Sequence, residues 1–196
     1  MNLAIAKSLR VLSGRLPMLI KSAGDLKAYL LARELVKRGL RTHATGSLTG
    51  ISLDQIRKIP SHLGLKREGG SGYTPKAATV CRSRMSQIRL SLFVIIYLKS
   101  RPDNGLSRID PEHLIRSFDL VQILAPNPEL NLTLAWSLVT ELKLGLVELA
   151  ACSKCKSQFL RIYESSRLPL SCPFCFLQDR RERRHRRLGS KGISAA

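Results

Sequence analysis

The sequence predicts a mainly α-helical protein: a helical N-terminal region with a helix-turn-helix-like unit, then a small zinc-ribbon-like four-cysteine module and a basic tail. Three observations lead there. Apolar residues recur every three or four positions through most of residues 25–145, the period of a helix with one buried face. Two Cys-x-x-Cys pairs, Cys152/Cys155 and Cys172/Cys175, are separated by sixteen residues, a spacing that suits one metal ion. Of 196 residues, 33 are Lys or Arg and 14 are Asp or Glu, a net charge of +19.

That charge points to a polyanionic partner. It is uneven: residues 1–110 carry 20 basic and 6 acidic side chains, net +14, whereas residues 111–151 carry 2 and 5, net −3. The last 18 residues, 179–196, carry 7 and 2, net +5. With 44% hydrophobic residues, the chain can bury a real core. Its longest apolar run, Leu92 to Leu98, is far short of the ~20 residues a membrane helix needs. No secretory h-region is visible, so a reducing cytoplasm is the expected location and no membrane partner is expected. No His/Glu zinc-hydrolase motif or nucleophile elbow occurs. An enzyme acting on a small-molecule substrate is therefore not expected.

Taken in order, residues 1–24 form a basic extension with Lys7, Arg10, Arg15 and Lys21 and no acidic residue. Asp25 is a suitable N-cap for a helix with Leu26, Leu30, Leu31 and Leu35 at helical spacing, stopped by Gly39. Residues 42–64 read as a helix-turn-helix: a short helix to Thr49, a turn at Gly50, and a second helix with Ser52 and Gln55 as a capping box. Its exposed face would carry Gln55, Arg57 and Lys58 towards DNA, and Pro60 would end or kink it after roughly two turns.

Glu68 to Pro75, with Gly69, Gly70 and Gly72, reads as a flexible connector and lacks the Gly-x-x-x-x-Gly-Lys-Ser/Thr pattern of a nucleotide loop. Ala77 to Lys99 reads as one helix, basic at first through Arg82, Arg84 and Arg89, then apolar all round and hence buried. Cys81 is the odd thiol, expected to be buried and inert.

Asp110-Pro111 starts another helix, with Leu114, Phe118, Val121 and Leu124 on one face. Asn127-Pro128 repeats the signal for a helix carrying Leu130, Leu134, Leu138 and Leu142 to a stop at Gly145. Two short strands, Leu146 to Ala151 and Gln158 to Tyr163, would meet at the first cysteine pair. The implied divisions are 1–24, a helical domain 25–145, the metal module 146–178, and a disordered basic tail 179–196. In that tail Arg180, Arg181, Arg183 and Arg184 would neutralise phosphates, and His185 belongs to it rather than to the metal.

Cys152, Cys155, Cys172 and Cys175 would close a tetrahedral site around one structural Zn2+ per chain, because four protein sulfurs leave no position open for water or substrate. Four thiolates and a divalent ion leave a net charge of minus two, which Lys154, Lys156 and Arg161 stand close enough in sequence to offset. A redox dithiol lacks a thioredoxin-like βαβ context, and disulfides need an oxidising compartment. An iron–sulfur cluster accepts the same four thiolates. Lys156 and Phe176 occupy the positions where a zinc knuckle usually has Gly.

The order of these features resembles the FlhC family of bacterial flagellar transcriptional activator subunits. The residues that carry the resemblance are Leu132-Thr-Leu-Ala-Trp-Ser-Leu-Val139, Gly145-Leu-Val-Glu-Leu-Ala-Ala-Cys-Ser-Lys-Cys155 and Cys172-Pro-Phe-Cys175. It is best from about Leu130 to Cys175 and extends loosely back to about Leu26; residues 1–24 lie outside it. The resemblance implies a mixed hexamer with the small helical protein FlhD, which bends promoter DNA upstream of flagellar genes. It also implies recruitment of RNA polymerase with the housekeeping sigma factor, and zinc ligation by the same four cysteines. The alternative reading is a zinc-ribbon RNA-binding or ribosome-associated protein, since a basic tail alone does not distinguish the two nucleic acids.

Overall fold

Ser22, not Asp25, begins the first helix. In the computed structural model, which describes residues 22–65, 74–101, 106, 108–127, 129–165 and 168–189, the Asp25 N–H donates to Ser22 Oγ (3.1 Å) and the Ser22 N–H to Asp25 Oδ2 (3.0 Å). This reciprocal pair satisfies two donors at the helix start. For residues 184–189 only the backbone is described. Residues 1–21, most of the expected extension, lie outside the described residues.

The chain divides into two units, 1–71 and 72–196. The boundary falls within the glycine-rich connector, inside the stretch 25–145 expected to form one helical domain. Residues 66–73 of that connector lie outside the described residues.

In the first unit, α1 (Ala23–Lys37), α2 (Thr42–Thr49) and α3 (Leu53–His62) pack on one another. Tyr29, Ala32, Ile51, Ile56 and Ile59 form the core. The buried stripe of α1 is thus Tyr29–Ala32–Leu35. Leu30 is exposed, and Leu26 and Leu31 are half-buried, because the core lies one helical step away from the leucine row. Gly50 caps α2 in the left-handed region at φ 74°. Gly46 lets α2 and α3 approach closely, since a Cβ there would lie 3.1 Å from Leu53 Cδ2 and 3.3 Å from the Ile51 carbonyl.

Two expectations for α3 do not hold. Ser52 Oγ donates to Gln55 Oε1 (3.0 Å) instead of accepting a backbone N–H, so the capping box is not made. Pro60 does not end the helix, which continues to His62. Standing in the last turn, the proline forfeits a single backbone bond, and the Leu63 N–H closes that turn on the carbonyls of Ile59 and Pro60.

The second unit holds α4 (Ala77–Val80), α5 (Arg84–Lys99), α6 (Pro111–Leu124), α7 (Leu132–Lys143), strands β1 (Val147–Ala151) and β2 (Gln158–Ile162), and α8 (Pro173–Gly189). The expected helix 77–99 is broken at Cys81–Ser83, because Ser83 takes an extended conformation and its Oγ accepts the Ser86 N–H (3.0 Å). Helix α5 is the hub, touching α6, α7, α8 and both strands. Its Leu90, Phe93, Val94 and Tyr97 are fully buried, whereas Leu92, Ile95, Ile96 and Leu98 are only half-buried.

Asp110 caps α6 as expected, but Leu124 at its end is exposed. Asn131, not Asn127, caps α7, its Oδ1 accepting the Leu134 N–H (2.8 Å). Asn127 instead forms a turn, accepting from the Glu129 N–H (3.1 Å). Buried Glu141 ties α7 to α4: its carboxylate accepts the Ala77 N–H (3.0 and 3.2 Å) and the Ser137 hydroxyl (3.1 Å). Burial pushes its carboxyl above the usual carboxylate range.

The residues expected to be a disordered tail are, up to Gly189, the continuation of α8. Charge density alone argued for disorder; here the helix starts inside the cysteine module, with Pro173 as its first residue.

A methyl group at Gly50 would meet no atom within 4 Å, so only the backbone opposes it. Gly50→Ala should lower the stability of the first unit by about 1–2 kcal/mol, and Gly50→Asn by less. The urea midpoint of the full chain checks this; equal midpoints for Ala and wild type would contradict it.

Candidate metal centre

The antiparallel strands β1 and β2 pair from Val147↔Ile162 to Ala151↔Gln158, and the turn between them holds Cys152 and Cys155. The Lys156 N–H donates to the Cys152 carbonyl (3.0 Å) and the Cys152 N–H to the Ser157 carbonyl (3.0 Å), so the chain wraps around the first sulfur pair. Lys156 stands at φ 59°, the one non-glycine residue with positive φ among the described residues. It adopts the left-handed conformation that a glycine would supply in a standard knuckle.

The second pair is built differently from the first. Cys172 immediately precedes α8 and Cys175 lies in its first turn, where the Phe176 N–H donates to the Cys172 carbonyl (3.3 Å). A helix start offers unpaired N–H groups and a positive dipole end, both favourable to thiolates. The module is therefore one hairpin turn facing one helix start.

The four sulfurs lie within 4.8 Å of one another. Cys152 Sγ and Cys175 Sγ are 3.7 Å apart, and Cys155 Sγ and Cys172 Sγ 3.6 Å. Disulfide bonding would require ~2.05 Å, whereas metal–sulfur bonds of ~2.3 Å in a tetrahedron place sulfurs about 3.8 Å apart. The donor set fits one metal ion. Cys172 and Cys152 are nearly enclosed, packing with Phe159 and against Phe174 and Ala150, while Cys155 is exposed.

Hydrogen bonds from the Ser157 hydroxyl and N–H lower the Cys155 thiol to about 6. The sulfur of Cys155, with burial, pushes Cys175 up to about 12. Four crowded thiols thus do not ionise together unless a cation joins them. Cys81 lies outside this cluster, fully buried, with burial raising its thiol to about 11.

The countercharge is arranged differently from the sequence expectation. Lys154 and Lys156 are exposed beside the turn, but Arg161 is paired across the hairpin with Glu148 (2.6 Å). Sequence reasoning gives Arg84 no role beyond the basic first half of the helix 77–99, yet it is 8% exposed and bonded to the segment before Cys172. No local signal marks it, because the partners that tie it to the cysteine module, Pro169 and Ser171, lie more than 80 residues away in sequence. Two further side chains of α5 hold the hairpin: Gln87 Nε2 donates to the Leu160 carbonyl (2.8 Å), and the Leu160 N–H donates to Ser91 Oγ (2.8 Å). Arg84, Gln87 and Ser91 follow one another at helical spacing on one face of α5.

The residues expected to face DNA are divided between the two units. On α3, Arg57 and Lys58 are exposed, with Arg57 2.9 Å from Asp54 Oδ1. Gln55 is only half-buried-accessible, its Oε1 engaged by Ser52. Ser61 and His62 extend the exposed face of α3 beyond Lys58; helical spacing would have revealed them had Pro60 not been read as a stop. On α8, Arg180, Arg181 and Arg183 are exposed, and Arg184 lies in the same helix.

Fold and site together define a class: a mainly helical protein whose C-terminal region gathers four cysteine sulfurs that could hold one metal ion. Among the described residues, no helix is long and apolar enough to cross a membrane. A family model, flagellar transcriptional activator (FlhC), matches residues 18–188. The flagellar transcriptional regulator FlhC of Paraburkholderia atlantica is 28% identical over 158 residues, covering 77% of this chain and 70% of that protein. The chain belongs to the FlhC family. It is a transcriptional regulator of flagellar genes, from a family of regulators rather than enzymes, and this does not favour the RNA-binding or ribosome-associated alternative.

A chelator should expose four of the five cysteines and leave one protected. Iodoacetamide labelling followed by mass spectrometry should find Cys152, Cys155, Cys172 and Cys175 unmodified in the metal-loaded chain and modified after chelation, with Cys81 slow throughout. Equal labelling of the four with and without chelator would contradict the shared site.

Proposed function

We propose that the chain is the DNA-binding subunit of a flagellar transcription activator, working in a mixed hexamer with an FlhD-like partner to recruit RNA polymerase at promoters. One structural zinc per chain holds the C-terminal module. The observation that carries this reading is that α8 supplies two of the four sulfurs from its start and then presents Arg180, Arg181 and Arg183 to solvent. Metal binding and phosphate binding then share one rigid element, so an ion at one end orients the charges at the other.

Zinc suits the site because sulfurs one tetrahedral edge apart match a single ion; a multi-iron cluster would hold them on different metal atoms. Arg180, Arg181, Arg183 and Arg184 neutralise phosphates, while Gln55, Arg57 and Lys58 of α3 form a second contact with the duplex. Gln55 is the weakest of these, since Ser52 already engages its oxygen.

DNA affinity of the full chain, co-expressed with an FlhD-like subunit, tests the proposal. Replacing Arg180, Arg181 and Arg183 with Ala should weaken binding to flagellar promoter duplex roughly tenfold or more at physiological salt. It should also make the slope of log K against log salt shallower by about two to three. An unchanged slope would remove α8 from the interface, and stronger competition by structured RNA than by duplex DNA would favour the rejected alternative. Light scattering of the co-expressed chains should give a mixed hexamer; a chain that ignores the partner would contradict the assembly.

A further inference from the structure

Arg84, the first residue of α5, is buried yet the acceptors around it among the described residues are all neutral. Its Nη1 donates towards the Ser171 carbonyl (2.7 Å), Gln87 Oε1 (2.9 Å) and the Pro169 carbonyl (3.1 Å), and its Nη2 donates to Ser171 Oγ (2.8 Å). The guanidinium carbon also lies 5.1 Å from the centre of the Phe176 ring. Among the described residues, no carboxylate lies within ion-pair distance of it. A guanidinium does not lose its proton in proteins, and a buried charge is costly without an opposite charge nearby. Ser171 is the residue before Cys172, and Phe176 the residue after Cys175. The missing negative charge is at hand in the four-thiolate centre, which with a divalent ion carries minus two.

We infer that Arg84 is a positioning residue of the metal centre, gripping the chain on both sides of the Cys172/Cys175 pair and supplying the buried countercharge to its thiolates. This rests on the four-sulfur metal reading. The planar fork explains why arginine occupies the position: it reaches a backbone carbonyl and a hydroxyl of the same residue while its face covers an aromatic ring. A lysine could supply the charge but not that geometry. Groups that orient metal ligands from behind commonly change metal affinity 10–100-fold when removed.

Cobalt(II) titration of the full chain, followed through the sulfur-to-metal charge-transfer band in competition with a chelator, tests the assignment. Arg84→Gln should weaken cobalt binding about 10–100-fold, and Arg84→Lys and Ser171→Ala by less. Arg82→Gln, an exposed arginine two residues away, should bind like wild type. A purely structural Arg84 would lower the melting temperature but leave cobalt affinity unchanged at temperatures where the variant is folded. Affinity within twofold of wild type in folded Arg84→Gln therefore overturns the inference. Should Arg84→Gln fail to fold, Arg84→Lys and Ser171→Ala decide: threefold or greater weakening in either supports it, and wild-type affinity in both overturns it. A wild-type chain that takes up no cobalt overturns the metal reading and this assignment together.

Discussion

Four sulfurs brought within 4.8 Å of one another are the constraint on which the C-terminal unit depends. Protonated, they are a poor core for a hairpin of two five-residue strands; ionised, they repel. The rise of Cys175 to about 12, caused first by the neighbouring sulfur of Cys155, expresses that conflict. A divalent cation would resolve it, converting mutual repulsion into four bonds to one centre. The small apolar cluster of Phe159, Phe174 and Ala150 around the cysteines then has a fixed framework to pack on.

The constraint reaches further because the module does not stand alone. One face of α5 meets it with three polar side chains: Arg84 at the approach to the second cysteine pair, Gln87 and Ser91 at the backbone of Leu160. Leu160 pairs across the hairpin with Leu149, and its outward N–H and carbonyl would be orphaned without α5. The other face of α5 carries Phe93 and Tyr97 into the helical core. Metal module and helical core are thus joined by buried hydrogen bonds that tolerate little displacement. From the same module α8 continues to its exposed arginines, so one helix connects the cysteine cluster to the basic surface.

Much of this was legible in the sequence, because periodic features survive without knowledge of the third dimension. The cysteine spacing located the four sulfurs that the fold brings together, and Asp110-Pro111, Gly50 and Gly145 marked helix ends through the backbone angles they permit. Errors occurred where two local signals compete. Asn127 and Asn131 are equally good caps, and only the burial of Leu130 and Leu132 decides for the later one. Ser83 interrupts an otherwise continuous helical pattern by capping Ser86. The composition of the arginine-rich stretch opposes burial and so suggests disorder, yet the helix needs no buried face there once its first turn is held. Arg84 was beyond reach for another reason. Its role exists only through partners 85 and 87 residues away, and in sequence it looks like any arginine at a helix start.

X-ray absorption at the metal edge of the purified full chain tests the central claim most directly. The account predicts zinc, one per chain, with four sulfur neighbours at about 2.3 Å and no nitrogen, oxygen or second metal in its shell. A mixed shell of light atoms and fewer than four sulfurs, or iron with iron neighbours, would contradict it.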